Sequence, residues 1–207
     1  MSSLADLLAQ HPFADDEPVL FGAARTWTAG EARRAVAEGA RRLTASGLQA
    51  GQGVGVMLDG APVVIAMMSI WVAGGVFVPI NPRLPPAALD EVIAAVQPSL
   101  VLTEAGPAGT GHDRRFASGT AFVLWTSGTT GRPKPVLHTH EAYVELIDRV
   151  LLPLRGSAAN ATTRPSPNLI PVSMAVNAGI YNALFGLRAG AALVVMDRFE
   201  PVAFAET

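Results

Sequence analysis

The sequence predicts an α/β fold, layered β-sheets with covering helices, and three observations carry that expectation. Segments of helical and of strand character alternate along almost the whole chain, which is the pattern of parallel strands joined by helices. Half of the 207 residues are apolar and only 15% are charged, enough to bury one sizeable core or two modest ones. The stretch from Ala61 to Pro82 carries no charge, yet Gly74-Gly75 interrupts it. It divides into APVVIAMMSIWVA, which suits a buried helix, and VFVPI, which is β-branched and aromatic like a strand.

Taken in order, 19–21 and 25–27 read as a short hairpin. Thr28 and Glu31 then fit a capping box that opens a helix running to about Ser46, with Val36, Ala40 and Leu43 on its apolar face and Gly47 just past its end. An apolar strand at 54–58 precedes the helix and strand of the uncharged stretch. Pro85-Pro86 opens a helix over 86–96, and a strand follows at 99–103, completing two β-α-β units. The segment 104–120, rich in Gly and charge and without period, reads as a linker or mobile loop. This divides the chain into a first α/β subdomain (1–103), the linker (104–120) and a second subdomain (121–207). The second subdomain is expected to hold strands at 121–125, 136–137, 169–172 and 192–196 and helices at 140–151 and 178–187.

Several function classes are excluded by composition. A net charge of −2 leaves no broad basic field for nucleic acid. The absence of cysteine excludes a disulfide framework and thiolate metal sites. The uncharged stretch is long enough for a membrane span, but its central glycines and the Asn81-Pro82 turn argue against one. The N-terminus lacks the sections of a signal peptide, so the sequence reads as cytoplasmic. His138, Thr139, His140 and Glu141 offer possible metal ligands, but no further well-spaced ligand follows, and the two histidines are expected to flank a helix start. His11 and His112 read as solvated loop residues.

The most informative segment is Leu124-Trp125-Thr126-Ser127-Gly128-Thr129-Thr130-Gly131-Arg132-Pro133-Lys134. Its hydroxyl and glycine positions can present backbone and side-chain donors to a polyanion after a buried strand. Lys134 is the single lysine among fifteen basic residues, so it stands out in a chain that otherwise uses Arg. A compact ammonium and a planar guanidinium are not interchangeable at a phosphate. An ordinary Ser/Thr/Gly turn is the competing reading of SGTTG alone. The spacing fits neither a Walker loop nor a nucleophile elbow.

Thr126 through Lys134 resembles the phosphate-binding signature S/T-S-G-T-T-G-x-P-K of the adenylate-forming superfamily, which includes acyl-CoA synthetases, luciferases and peptide-synthetase adenylation domains. Trp71 to Pro85, WVAGGVFVPINPRLP, is similar to a second family segment, K-A-G-x-x-Y/F-V-P-x-(D/N)-P. The resemblance implies a partial N-terminal domain of such an enzyme. It implies that Thr126, Ser127, Gly128, Thr129, Thr130, Gly131 and Lys134 bind ATP, whose α-phosphorus is attacked by a substrate carboxylate to give an acyl-adenylate. Mg2+ would accompany ATP, its protein ligands lying outside this chain. Transfer to a thiol of CoA or of a carrier protein usually follows in the family. Pro135 stands where the family usually has Gly.

On the acyl side the resemblance points to Ser173, Met174, Asn177 and Gly179. The histidine that many acyl-CoA synthetases carry there is absent, and no Asp or Glu occurs from Leu151 to Met196. An ammonium buried without a counter-charge is costly. A carboxylic acid without an α-amino group, aryl or aliphatic, is therefore expected, and Asn177 favours an aryl acid. The family's adenine- and ribose-binding segments and its mobile C-terminal domain would follow residue 207, so no catalytic residue is assigned here. The expectation is that the chain alone is inactive and works with the remainder of the enzyme, as a second polypeptide or a missing segment. A non-catalytic nucleotide-binding or scaffold module, or a fragment of an amino-acid adenylation domain, are the alternatives.

Overall fold

A computed structural model describes residues 3–126, 134–157 and 164–197. The chain divides into two compact units, each assembled from separated segments. One comprises Met1–Arg34, Asp59–Val64 and Glu141–Thr207, and the other Ala35–Leu58 and Ile65–His140. Helices α1 (Ala29–Ala45) and α2 (Pro62–Val72) run from one unit into the other. The interleaving differs from the sequential arrangement expected around 104–120.

The larger sheet lies within the second unit, with strand order β6-β5-β3-β4-β7-β8. Strands β3 (Gly53–Val56), β4 (Val76–Pro79) and β5 (Leu100–Thr103) are mutually parallel, with β3 central. Helix α3 (Pro86–Val96) makes the crossover from β4 to β5, and its first turn holds the expected proline. Alternation along the strands sorts side chains to two faces. Val76, Val78, Ile80 and Val123 pack with Val92 and Val96 of α3. Phe77 and Phe122 instead meet Trp71 of α2, at ring separations of 6.5 Å in both cases. The Trp71 indole N–H donates to the Ala121 carbonyl at 2.7 Å, which satisfies the one polar atom of that ring.

Close packing between α1 and α2 in this unit depends on Gly39. A Cβ there would lie 2.9 Å from Ser69 Cβ, inside van der Waals distance. The capping box at the start of α1 is present: Glu31 N–H donates to Thr28 Oγ1 at 3.2 Å, and Thr28 N–H to Glu31 Oε2 at 3.1 Å.

One segment departs from the linker expected at 104–120. Gly106–Gly109 forms strand β6, paired antiparallel with β5. Arg115 bridges to Gln52, and Phe116 packs against the α3 cluster. The sequence GPAG has little strand propensity, so this strand owes its existence to the open edge of β5 rather than to its own residues.

The first unit holds a sheet of order β2-β1-β10-β9. Strands β1 (Pro18–Phe21) and β2 (Thr26–Thr28) form the expected hairpin. Strands β9 (Asn168–Ile170) and β10 (Leu193–Val195) are parallel and joined by α5 (Asn177–Ala189). β10 also pairs parallel with β1, placing Leu20 beside Leu193. Helix α4 (His140–Ser157) buries Tyr143, Ile147 and Leu151 along one face. It extends past the expected end near Leu151, with Pro153 accommodated inside it. Arg188 of α5 makes a two-point contact with Asp148 of α4, 2.9 Å at both nitrogens.

His11 corrects the solvated-loop expectation. It is 4% exposed, its Nε2 lies 3.2 Å from the Ala191 carbonyl, and its Nδ1 accepts from Phe13 N–H at 3.4 Å. These partners select the neutral tautomer protonated on Nε2. Its neighbour Arg33 gathers the same N-terminal segment by donating to the carbonyls of Leu8, His11 and Phe13 and to Asp15.

Two predictions follow from this packing. Burial lowers the His11 pKa below its ordinary 6.5, and burial shifts His138 in the same direction. Protonation therefore favours the unfolded chain, so the stabilising contribution is complete above 6.5 and is lost as pH falls from there toward the lowered folded value. Denaturant midpoints should drop between about pH 7.5 and about pH 5.5. His11→Gln should flatten that slope, and an unaltered slope would refute the assignment. Second, Gly39→Ala should destabilise by about 1–3 kcal/mol through overpacking, more than the roughly 1 kcal/mol that alanine's helix propensity returns. Thermal unfolding of the double variant with Ser69→Gly should recover part of the loss; additive effects would show that the two residues do not touch.

Candidate functional site

Strand β7 (Thr120–Thr126) is buried from Ala121 through Leu124 and lies between β4 and β8 (Lys134–Thr139). β7 and β8 pair antiparallel, and their last partners are Thr126 and Lys134. The predicted phosphate-binding residues Ser127, Gly128, Thr129, Thr130 and Gly131 lie outside the described residues. What is described is the sheet on either side of them: Thr126 and Lys134, which flank that segment in sequence, are paired strand residues. Lys134, the first residue of β8, is exposed. Pro135 pairs with Trp125 in the same ladder. Because β8 is the edge strand, a proline without an N–H is tolerated there. The Trp125 indole N–H is buried without a hydrogen-bond partner.

His138 and His140 pack on aromatic rings. His138 pairs across the ladder with Phe122 and stacks on it at 4.8 Å and 16°, while His140 meets Trp71 edge to face at 5.4 Å. Among the described residues no three His, Asp or Glu side chains converge as metal ligands.

The acyl-side candidates all fall in the first unit, between β9 and the opening of α5. Met174 is 3% exposed and belongs to the core. Gly179 is buried, and a Cβ there would lie 2.8 Å from the Ser173 carbonyl carbon and 3.0 Å from Met174 Cα, so the backbone of 173–174 rests directly on the helix. The Ser173 hydroxyl accepts from Ala175 N–H at 3.1 Å and shapes the local turn. Asn177 is the exposed polar member of the set. Its Oδ1 accepts a hydrogen bond from the Tyr143 hydroxyl of α4 at 2.8 Å. Tyr181 follows one turn later on α5, 6.3 Å from the Tyr143 ring and edge to face, and Phe185 stacks on Tyr181 at 5.9 Å.

Tyr143 was not among the residues singled out from the sequence. Its spacing with Ile147 and Leu151 marks it only as a core position. The available signal was chemical, since a buried tyrosine needs a partner for its hydroxyl.

Comparison with known proteins places these features. The family model of AMP-binding enzymes matches residues 8–118 and 107–207. Chondramide synthase cmdD of Chondromyces crocatus is 32% identical over 214 residues, covering 91% of this chain and 5% of that protein. Phosphinothricin tripeptide synthetase PhsC of Streptomyces viridochromogenes is 28% identical over 223 residues, covering 94% of this chain and 20% of that protein. Among solved structures, VinN in complex with 3-methylaspartate superposes with a TM-score of 0.76 at 24% identity, over 94% of this chain and 62% of VinN. The N-terminal subdomain of Klebsiella oxytoca NpsA with 3-hydroxybenzoyl-AMSN gives 0.77 at 22% identity, over all of this chain and 57% of that one. At these identities the structural likenesses show the fold alone. The chain thus spans a small part of the curated synthetases and about three fifths of VinN and NpsA. With the family model matched across nearly its whole length, this chain belongs to the AMP-binding enzymes of the adenylate-forming superfamily and has the fold of their N-terminal subdomain.

Proposed function

We propose that the protein takes part in ATP-dependent activation of a carboxylic acid to an acyl-adenylate, with residues Thr126 through Lys134 receiving the triphosphate. The observation that carries this reading is a family signature at the β7–β8 junction, its ends fixed as partners by the sheet. In that role the segment's amides and hydroxyls and the Lys134 ammonium stabilise charge developing on the pyrophosphate leaving group. They bind and orient; none acts as an acid or base. Bound Mg2+ would supply further neutralisation of the phosphates. The solved relative MatB of Rhodopseudomonas palustris has been obtained with ATP bound, which supports the same use of nucleotide here.

The acid we propose lacks an α-amino group. No carboxylate lies between Leu151 and Met196, and the exposed polar side chain at the head of α5 is the neutral amide of Asn177. Ser173, Met174 and Gly179 would then shape the site through backbone and packing. The thiol acceptor proposed is a carrier protein, because the relatives are peptide synthetases. Those relatives also favour a second reading, in which the acid is an amino acid. Pyrophosphate exchange by the natural protein separates the two: stimulation by carboxylic acids is expected, and stimulation by amino acids only would overturn the first reading.

Lys134 tests the ATP assignment. Lys134→Ala should remove a charge-assisted contact worth about 1.5–3 kcal/mol, which is about one to two powers of ten in adenylation efficiency. Lys134→Arg should also impair exchange, because the planar fork cannot occupy the same point. Stability should change by less than about 0.5 kcal/mol for this exposed residue. Exchange at the parent rate by Lys134→Ala, measured beside thermal unfolding, would remove the assignment's sharpest support.

A further inference from the structure

Pro135 follows Lys134 directly and stands where the adenylate-forming family usually has Gly. The two residue types act on a backbone in opposite senses. Proline fixes its own φ and bars the residue before it from the helical region, leaving that residue extended. Glycine would leave both positions free. Lys134 is therefore confined by its neighbour to the conformation that β8 requires of it, and there it pairs with Thr126. That pair is the last of the ladder, and among the described residues β8 has a strand neighbour on one side only. The end of an edge strand is where pairing opens most readily.

Alternation gives the restriction a direction. Cross-strand partners put their side chains on the same face of a sheet, and successive residues put theirs on opposite faces. Trp125 and Pro135 are partners, and Trp125 packs on the face covered by α3. Thr126 and Lys134 are partners too, so their side chains share the other face. Trp125 is half-buried, whereas Lys134 is exposed. The Trp125–Pro135 pair thus anchors the covered face, and the ammonium and the Thr126 hydroxyl are presented together on the opposite one.

We propose that Pro135 is a positioning residue for the nucleotide: it holds Lys134 extended before ATP arrives, so that less backbone freedom is lost when the ammonium engages the phosphates. This rests on the reading that Thr126 through Lys134 receive the triphosphate. Preorganisation of this kind raises affinity by lowering the ordering cost rather than by adding a contact. Pro135 itself touches no ligand, and its effect is confined to nucleotides that carry the pyrophosphate portion. The competing role is structural, because a proline on an open strand edge also discourages another strand from pairing there. That role would leave nucleotide affinity untouched.

The test is equilibrium binding of MgATP and of AMP to the natural protein by calorimetry, for the parent, Pro135→Gly, Lys134→Ala and the double variant. Pro135→Gly should weaken MgATP binding about three- to tenfold and leave AMP binding unchanged, because AMP lacks the phosphates that Lys134 would meet. In the Lys134→Ala background the same substitution should have no further effect, since a positioning residue acts only through the residue it positions. Equal losses for MgATP and AMP, an undiminished MgATP affinity, or a full effect in the Lys134→Ala background would each overturn the proposal. If the parent binds no MgATP, or if Lys134→Ala binds it as tightly as the parent, the triphosphate reading fails and this inference falls with it. Should Pro135→Gly associate or not fold, Pro135→Ala replaces it in the same cycle. A loss of about two- to fivefold for MgATP alone is then expected, and no loss overturns the proposal.

Discussion

The burial of β7 from Ala121 through Leu124 is the constraint on which the frame of the proposed phosphate-binding segment depends. A strand buried from Ala121 through Leu124 needs partners on both edges and apolar cover on both faces, because unpaired backbone groups there would be costly. β4 and β8 supply the edges, α3 covers the Val123 face, and Trp71 covers the Phe122 face. With the strand so fixed, its C-terminal end can carry a segment whose composition serves ligand binding rather than stability. Serine, threonine and glycine contribute little to a core. They can therefore be placed where the sheet stops, between partners already held by the ladder.

How much of this the sequence discloses follows from whether each feature is local. The caps and periods of α1 and α3, and the break at Gly74-Gly75, are properties of neighbouring residues. The structure places α3 at the expected Pro86–Val96 and ends α2 at Val72, with Gly74 at φ 77°. β6 is different, since Gly106–Gly109 forms a strand only because β5 offers it an edge. His11 is different too, because the carbonyl that engages it belongs to Ala191, 180 residues away. The pairing of Leu20 with Leu193 brings that distant segment alongside, and nothing near His11 in sequence announces it.

The same division runs through the candidate site. The proposed phosphate-binding segment is legible because its hydroxyl and glycine residues are consecutive, so residue order is itself the pattern. The proposed acyl side draws on two helices, and the Tyr143–Asn177 hydrogen bond joins positions 34 residues apart. Asn177 could be singled out by position, but its hydrogen-bond partner could not. That partner is a tyrosine whose spacing looks like ordinary core. Met174 shows the complementary case, a candidate by position that the structure assigns to packing.

The charges around the Tyr143–Asn177 pair bear on the same question of ligand polarity. Helix α4 carries Glu141, Glu145 and Asp148 within two turns of Tyr143. Glu145 is paired with Arg149 at 2.6 Å, and Asp148 holds Arg188 at two points. The second pair is half-buried, and the carboxylate raises the Arg188 pKa, so each charge stabilises the other. Removing Asp148 from this arrangement to serve a ligand would strand a guanidinium, a cost larger than an exposed ion pair returns. Asp148 is thereby committed to joining α4 with α5.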